Sequence, residues 1–116
     1  MMGSCLCKNV NVDLKEQKSK IGACYCSMCR KLTPGGWFYI WKPYPDGGFM
    51  INGGEWVGEY DSSDVASRGF CKNCGTNIFY KLKTGEYFFS SGLFEGAEFE
   101  LVESYFEEQK PQGSVK

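Results

Sequence analysis

The sequence has no histidine, so a soft-metal site in this chain would have to rely on thiolates. It also lacks an excess of charge of either sign: 13 lysines and arginines stand against 14 aspartates and glutamates. This balance argues against nucleic acid or an anionic membrane as a partner. No apolar run reaches the roughly 18 residues of a transmembrane helix, and residues 1–5 are too polar for the core of a signal peptide. We therefore expect a cytoplasmic location.

The length of 116 residues leaves room for one domain. Glycine is abundant, at 15 residues, and 16% of the residues are aromatic, which favours turn-rich β structure. Leucine, isoleucine and valine are scarce. A chain of this size must therefore gain its stability from aromatic side chains and from cross-links.

The seven cysteines are the candidate cross-links, and every one falls in one of three short clusters. A disulfide scaffold normally has an even number of more dispersed cysteines and a secretion signal. Tight spacing instead suits a metal, and zinc is the default choice for thiolate ligands. An iron-sulfur cluster is the alternative, although the usual repeated C-x-x-C-x-x-C run is absent.

A zinc knuckle is indicated by Cys71 and Cys74, because Gly75 permits a positive φ directly after the second ligand. A knuckle supplies two ligands and needs two more. Cys5 and Cys7 can provide them, which would give a closed structural site with four thiolates.

The remaining cysteines, Cys24, Cys26 and Cys29, lie within six residues and can hold a second ion together. Three protein ligands leave one coordination position open, as in reactive zinc sites. In the alternative grouping, two of these middle cysteines complete the knuckle, and one cysteine is then left beside the first pair.

Alternation of polar and apolar residues indicates a mainly β fold with turn signals every eight to twelve residues. The run at 37–41 predicts a buried strand. We expect Trp37, Trp41 and Trp56 to belong to the core, with a place in the wall of a pocket as the alternative. A short helical turn is predicted at 26–31 and a frayed C-terminal tail at 110–116. Further strands are predicted at 10–14, 21–25, 49–52, 55–60, 65–70, 77–82, 87–89 and around 101–106.

Three motifs in a fixed order are specific enough to indicate a family. They are Gly3-Ser4-Cys5-x-Cys7, Cys24-x-Cys26-Ser27-x-Cys29-Arg30-Lys31, and Arg68-Gly69-Phe70-Cys71-x-x-Cys74-Gly75-Thr76-Asn77-Ile78-Phe79. Together they resemble the glutathione-dependent formaldehyde-activating enzyme family, which also includes centromere protein V. The resemblance covers almost the whole chain, as one domain at 1–109.

The resemblance implies a mainly β fold, the Mss4-like β-tent of antiparallel sheets, with two zinc ions. It implies that Cys5, Cys7, Cys71 and Cys74 hold a structural ion and that the other three cysteines, Cys24, Cys26 and Cys29, hold the reactive one. The implied activity is that of a carbon-sulfur lyase that adds glutathione to formaldehyde. A noncatalytic zinc-binding scaffold of the same fold is the alternative.

Two departures from the family pattern bear on the substrate. Tyr25 stands where many members have histidine, and the segment 103–106 replaces a strand that members often begin with histidine. The cysteines are unaffected by both changes.

Three zinc-bound thiolates suit activation of a thiol better than hydrolysis, because their negative charge weakens the Lewis acidity of the ion. The sequence identifies no base. Tyr25, Ser27 and Arg30 are candidate donors or anion contacts, each with a purely structural alternative. Arg68 and Lys72 are expected to offset the negative charge of the four-thiolate site.

Overall fold

The computed structural model describes residues 1–33 and 35–111. Over these ranges the chain is mainly β, as predicted. The strands are β1 (Met2–Ser4), β2 (Asn11–Asp13), β3 (Lys18–Cys24), β4 (Trp37–Ile40), β5 (Met50–Asn52), β6 (Val57–Asp61), β7 (Ala66–Cys71), β8 (Asn77–Leu82), β9 (Tyr87–Phe89) and β10 (Glu98–Tyr105). One α-helix, α1 (Ser27–Leu32), and 3-10 turns at Gly54–Trp56, Ser91–Leu93 and Glu107–Gln109 complete the described elements.

The strands form three small sheets, with the orders β1-β2-β5, β10-β3-β4 and β6-β7-β8-β9. All pairings are antiparallel except that of β10 with β3, which is parallel. The antiparallel β fold class is thus confirmed. The parallel pair brings the last strand beside a strand about eighty residues earlier in the chain.

The main core includes buried residues of β2, β8 and β9, and five of its thirteen buried members are aromatic. Phe49 packs edge-to-face on Tyr87 and Phe89, with ring centroids 4.7 and 4.9 Å apart. Such contacts contribute beyond the area they bury. Cys5 and Cys71 belong to this same core, so the first cysteine cluster is continuous with it.

A second, smaller core consists of Cys29, Trp37 and Tyr39, with the rings of Tyr80 and Phe88 packed against it. It lies between the second sheet and the third. The second cysteine cluster therefore has its own aromatic surroundings, separate from the main core.

The expectation that the apolar run at 37–41 would be wholly buried was wrong. Phe38 is 41% exposed, because strand alternation turns it away from the face that carries Trp37. Trp41 lies just beyond β4 at 45% exposure, and Trp56, in a 3-10 turn, at 39%. Of the three tryptophans only Trp37 is core, and it also lines a pocket.

Helix α1 occupies nearly the span predicted for a helical turn. Cys26 is its N-cap, and the Sγ atom of this residue accepts a hydrogen bond from the N–H of Cys29 at 3.4 Å. The side chain and N–H of Thr33 both bond the Cys29 carbonyl and end the helix. No helix in the described part of the chain is long and apolar enough to cross a membrane.

The predicted tail at 110–116 falls mostly on residues 112–116, which lie outside the described ranges. Lys110 itself forms an ion pair with Glu107, and its amine lies 5.2 Å from the centre of the Tyr25 ring.

Candidate metal centres and their pocket

The first cysteine cluster brings together the Sγ atoms of Cys5, Cys7, Cys71 and Cys74, all within 4.8 Å of one another. Cys7 lies 3.6 Å from Cys5 and 3.7 Å from Cys71, sulfur to sulfur. Four thiolates around a tetrahedral zinc ion stand about 3.8 Å apart. These four residues could therefore hold a metal ion.

The knuckle turn positions two of these sulfurs at the end of β7. Gly75 has a φ of 80°, and its N–H donates to the carbonyl of Cys71 at 2.8 Å. The N–H of Cys71 in turn donates to the carbonyl of Thr76 at 2.9 Å. The left-handed residue closes the turn as the sequence predicted, and glycine adopts that conformation without strain.

The thiols of this cluster differ in how readily they ionise. Burial raises the pKa of the Cys5 thiol to about 11. The backbone N–H of Val10, which donates to its sulfur at 3.3 Å, lowers this pKa by a smaller amount. Hydrogen bonds from Thr76 lower the pKa of the Cys74 thiol to about 5. A divalent ion bound here would lower the pKa of every coordinating thiol, because metal ligands must be thiolates.

The second cluster brings together Cys24, Cys26 and Cys29, again with all sulfurs within 4.8 Å. Cys24 ends β3, Cys26 caps α1, and Cys29 lies one turn into the helix on its buried side. Cys26 and Cys29 are three residues apart and therefore lie on the same side of α1. The end of β3 brings Cys24 beside them. This cluster could also hold a metal ion. All seven cysteines lie in the described ranges, and each is free of disulfides.

The two clusters use different cysteines, so the alternative grouping, in which the middle cysteines complete the knuckle, does not describe this structure. Because all seven cysteines are free, a disulfide scaffold does not describe this structure either.

A pocket of about 460 Å³ opens beside the second cluster. Its walls come from the second and third sheets, from α1 and from the end of β10. The lining residues besides the three cysteines are Met28, Trp37, Tyr39, Ser63, Arg68, Tyr80, Phe88, Glu103, Tyr105 and Phe106.

Strand register explains why these side chains meet. Arg68 on β7 stands opposite Tyr80 on β8, and Tyr80 stands opposite Phe88 on β9. Directly opposed residues project from the same face of a sheet, so the three form a row toward the pocket. In the second sheet, Cys24 is opposed by Trp37 on one side and by Tyr105 on the other.

Arg68 is the most informative residue of the pocket. It is only 4% exposed, and its guanidinium carbon lies 5.0 Å from the Trp37 ring centre and 4.5 Å from that of Tyr80. Its Nη2 donates to the Sγ atom of Cys29 at 3.4 Å. Within residues 1–33 and 35–111, its Nε and Nη1 have no hydrogen-bond partner and it forms no ion pair.

A buried cation without a carboxylate is costly unless negative charge lies nearby. Three thiolates and one divalent ion together carry a single negative charge, which the guanidinium would balance. Burial raises the pKa of the Cys29 thiol to about 12, and Arg68 acts in the opposite direction. The unpartnered guanidinium nitrogens and the three sulfurs therefore fit a metal ion held at this cluster.

The position of Arg68 corrects the expectation that it offsets the four-thiolate site. Arg68 precedes Cys71 by three residues, and β7 pairs with β6 in unbroken register over this span, so the two side chains point to opposite faces of the sheet. Lys72, the other expected counter-charge, is exposed.

The candidate donors chosen from the sequence do not line the pocket. The ring of Tyr25 packs edge-on against Phe38, with centroids 6.1 Å apart. Arg30 donates through Nε to the carbonyl of Tyr25 at 3.1 Å, and Ser27 is exposed in the first turn of α1. Tyr25 is thus a packed ring, whereas Cys26 rather than Ser27 caps α1, and Arg30 bonds a backbone carbonyl instead of acting as a solvated counter-charge.

A carboxylate that the sequence reasoning did not single out as a base lies in the pocket instead. Glu103 accepts hydrogen bonds from the hydroxyl of Tyr39 at 2.8 Å and from that of Tyr105 at 3.0 Å. Glu103 and Tyr39 both stand opposite Gly22, on the two strands that flank β3. Burial and the nearby carboxylate raise the pKa of the Tyr39 hydroxyl.

Gly22 is what lets the two residues meet across the strand between them. A Cβ atom at this position would lie 2.4 Å from the Tyr39 ring and hydroxyl, so the ring crosses the strand in space that only glycine leaves. A glycine inside a strand often marks such a close approach. That glycine was the one signal in the sequence that could have pointed to this arrangement.

Comparison with known proteins gives a consistent result. The family model described as glutathione-dependent formaldehyde-activating enzyme matches residues 1–109. A protein of Schizosaccharomyces pombe described as an uncharacterized lyase is 35% identical over 104 residues, covering 83% of this chain and 69% of its own. The crystal structure of a Rhodobacter sphaeroides protein matches with a TM-score of 0.69 at 21% identity, covering 90% of this chain and 99% of that one. The last match concerns the fold alone.

Proposed function

The chain belongs to the glutathione-dependent formaldehyde-activating enzyme family, and from this premise we propose that it is a zinc-dependent carbon-sulfur lyase acting on a small thiol adduct. The thiol is glutathione, and the reaction is its addition to formaldehyde or a related aldehyde, together with the reverse cleavage. The observation that carries this proposal is the buried guanidinium of Arg68, which lines the pocket, bonds Cys29 through Nη2 and leaves Nε and Nη1 without a partner.

The two clusters take different roles in this proposal. Cys5, Cys7, Cys71 and Cys74 hold a structural zinc ion, because four thiolates close its coordination and the cluster joins the main core. Cys24, Cys26 and Cys29 hold the reactive ion. When bound there, zinc supplies a fourth coordination position for sulfur and favours the ionised form of a thiol.

Arg68 and the aromatic walls prepare the site. The guanidinium balances the charge of the three thiolates and fixes the position of Cys29. The rings of Trp37 and Tyr80 lie against the guanidinium, with their centres 5.0 and 4.5 Å from its carbon, and help to hold it in place. Because the walls are largely apolar, they exclude water from a thiol and an aldehyde held together.

Proton transfer falls to Glu103. Addition forms a carbon-sulfur bond and converts the carbonyl to a hydroxyl, so the proton that leaves the thiol must reach the carbonyl oxygen. The Glu103 carboxylate accepts that proton and returns it to the new hydroxyl, while Tyr39 and Tyr105 orient the carboxylate through their hydrogen bonds. Cleavage of the adduct runs through the same steps in reverse, so no other reactant is needed.

Thiol binding separates this proposal from a noncatalytic scaffold. Glutathione is expected to bind much more tightly than S-methylglutathione, because the methylated sulfur is a far poorer metal ligand. Isothermal titration calorimetry on the zinc-loaded protein measures the difference, with Cys26→Ser as the control that removes it. Equal binding of the two compounds would favour the scaffold.

Catalysis is tested by exchange NMR on formaldehyde, glutathione and their adduct. The wild-type protein is expected to accelerate exchange above the uncatalysed rate, whereas Cys26→Ser is not. Thiol binding without faster exchange would keep the binding site and contradict formaldehyde as the substrate.

A further inference from the structure

Six of the thirteen residues that line the pocket beside the second cysteine cluster are aromatic, and they are the largest group in its walls. They come from three strands, β4, β8 and β9, and from the end of β10 with the residue that follows it, so no single element accounts for them. The rings are those of Trp37, Tyr39, Tyr80, Phe88, Tyr105 and Phe106, with the thioether of Met28 beside them.

The charged groups in these walls are already engaged. Apart from the three cysteines, only Arg68 and Glu103 among the lining residues carry charge. The Arg68 guanidinium lies against two rings, bonds a cysteine sulfur through Nη2 and keeps its Nε and Nη1 buried. Glu103 accepts from two tyrosines. The walls thus leave no free cation for the two carboxylates of glutathione, whose charged ends would remain at the mouth in water.

Formaldehyde does not account for the walls either. It has two heavy atoms and no apolar substituent, so its adduct would leave the rings facing either water or empty space. Ligand sites that are mainly aromatic with a few placed polar groups bind ligands with matching apolar surface.

Phe106 adds an independent observation at the mouth of the pocket. It has a φ of 58°, a left-handed conformation that is strongly disfavoured for a bulky residue. Its ring is nevertheless 49% exposed, so burial does not explain why phenylalanine stands there. Such conformations concentrate at ligand-binding sites, where the ring can contact what enters.

We propose that the pocket takes adducts of glutathione with aromatic aldehydes in preference to the formaldehyde adduct. This inference rests on the lyase proposal and specifies its substrate. The thiol sulfur bonds to the aldehyde carbon, the carbonyl π bond breaks, and the thiol proton ends on the oxygen. Cleavage reverses the same three changes. The aryl group lies against the rings, with Phe106 at its outer side.

Binding of two thioethers tests the walls without requiring turnover. S-benzylglutathione is expected to bind at least tenfold more tightly than S-methylglutathione, or 1.4 kcal/mol, because the benzyl ring is buried against aromatic walls. In Phe106→Gly the ratio is expected to fall below threefold, since glycine keeps the left-handed backbone and removes the ring. Phe38→Ala is the matched control, an exposed ring outside this pocket, and should keep the full ratio.

The rate of the catalysed reaction provides a second test of the aromatic preference. The ratio of catalysed to uncatalysed exchange is expected to be at least tenfold larger for benzaldehyde than for formaldehyde, measured with glutathione by exchange NMR. A larger ratio for formaldehyde, or equal binding of the two thioethers, would overturn the aromatic preference. No acceleration with either aldehyde would overturn the lyase proposal instead, and the thioether binding ratio would still decide whether the pocket selects aromatic groups.

Discussion

Replacing Cys74 with serine is expected to unfold the domain, whereas the same replacement at Cys26 is expected to leave it folded. The two cysteines are matched because both are half-buried members of a sulfur cluster. The first cluster is continuous with the main core through Cys5 and Cys71. Structural zinc contributes on the order of 10 kcal/mol to folding, which is comparable to the entire stability of a small domain, about 5–15 kcal/mol.

Cys26→Ser should be tolerated for two reasons. Its cluster packs on the smaller core, and serine is itself a preferred N-cap, so α1 keeps its capping group. Thermal melts followed by circular dichroism measure the comparison, and zinc addition should not rescue Cys74→Ser. If Cys26→Ser melted first, the structural and reactive roles of the two clusters would have to be exchanged.

The second large effect is expected at Glu103. Glu103→Gln keeps the size of the side chain but cannot accept the thiol proton, and general base catalysis contributes roughly 100- to 10,000-fold. We therefore expect a loss of at least 100-fold in the catalysed exchange rate, with glutathione binding little changed. Glu100→Gln, on the same strand but exposed and outside the pocket, should keep full activity.

Positioning of Glu103 can be tested separately. Tyr39→Phe removes one of its two hydrogen bonds and is expected to shift the pH profile of activity as well as to lower the rate. Gly22→Ala should have a similar effect without touching either group, because the new methyl would displace the Tyr39 ring. An unchanged rate and pH profile in both Glu103→Gln and Tyr39→Phe would contradict the role given to this carboxylate.

The sequence predicted the features of this fold that depend on local spacing. Alternation of residues indicated most strands, and the spacing of the cysteines separated Cys24, Cys26 and Cys29 from the knuckle, in agreement with the sulfur positions. The glycine after Cys74 predicted a turn with positive φ, as observed. Each of these features is determined within a few residues of chain.

The pocket depends on contacts between distant residues and could not be read from local pattern. Glu103 meets Tyr39 only because β10 pairs with β3 in parallel and because the register skips one residue between Leu101 and Glu103. The orientation of the Arg68 side chain, by contrast, could have been predicted from the sequence. Counting three residues along a strand from Cys71 places it on the opposite face, toward the second cluster.

Zinc content per chain, measured in the wild type and in Cys26→Ser, tests the central claim most directly. We expect two zinc ions in the wild type and one in the variant, with the fold retained, because the closed and open sites use separate cysteines. X-ray absorption should show that glutathione adds a sulfur ligand in the wild type but not in Cys26→Ser. One zinc ion in both proteins, or iron with labile sulfide, would contradict the account.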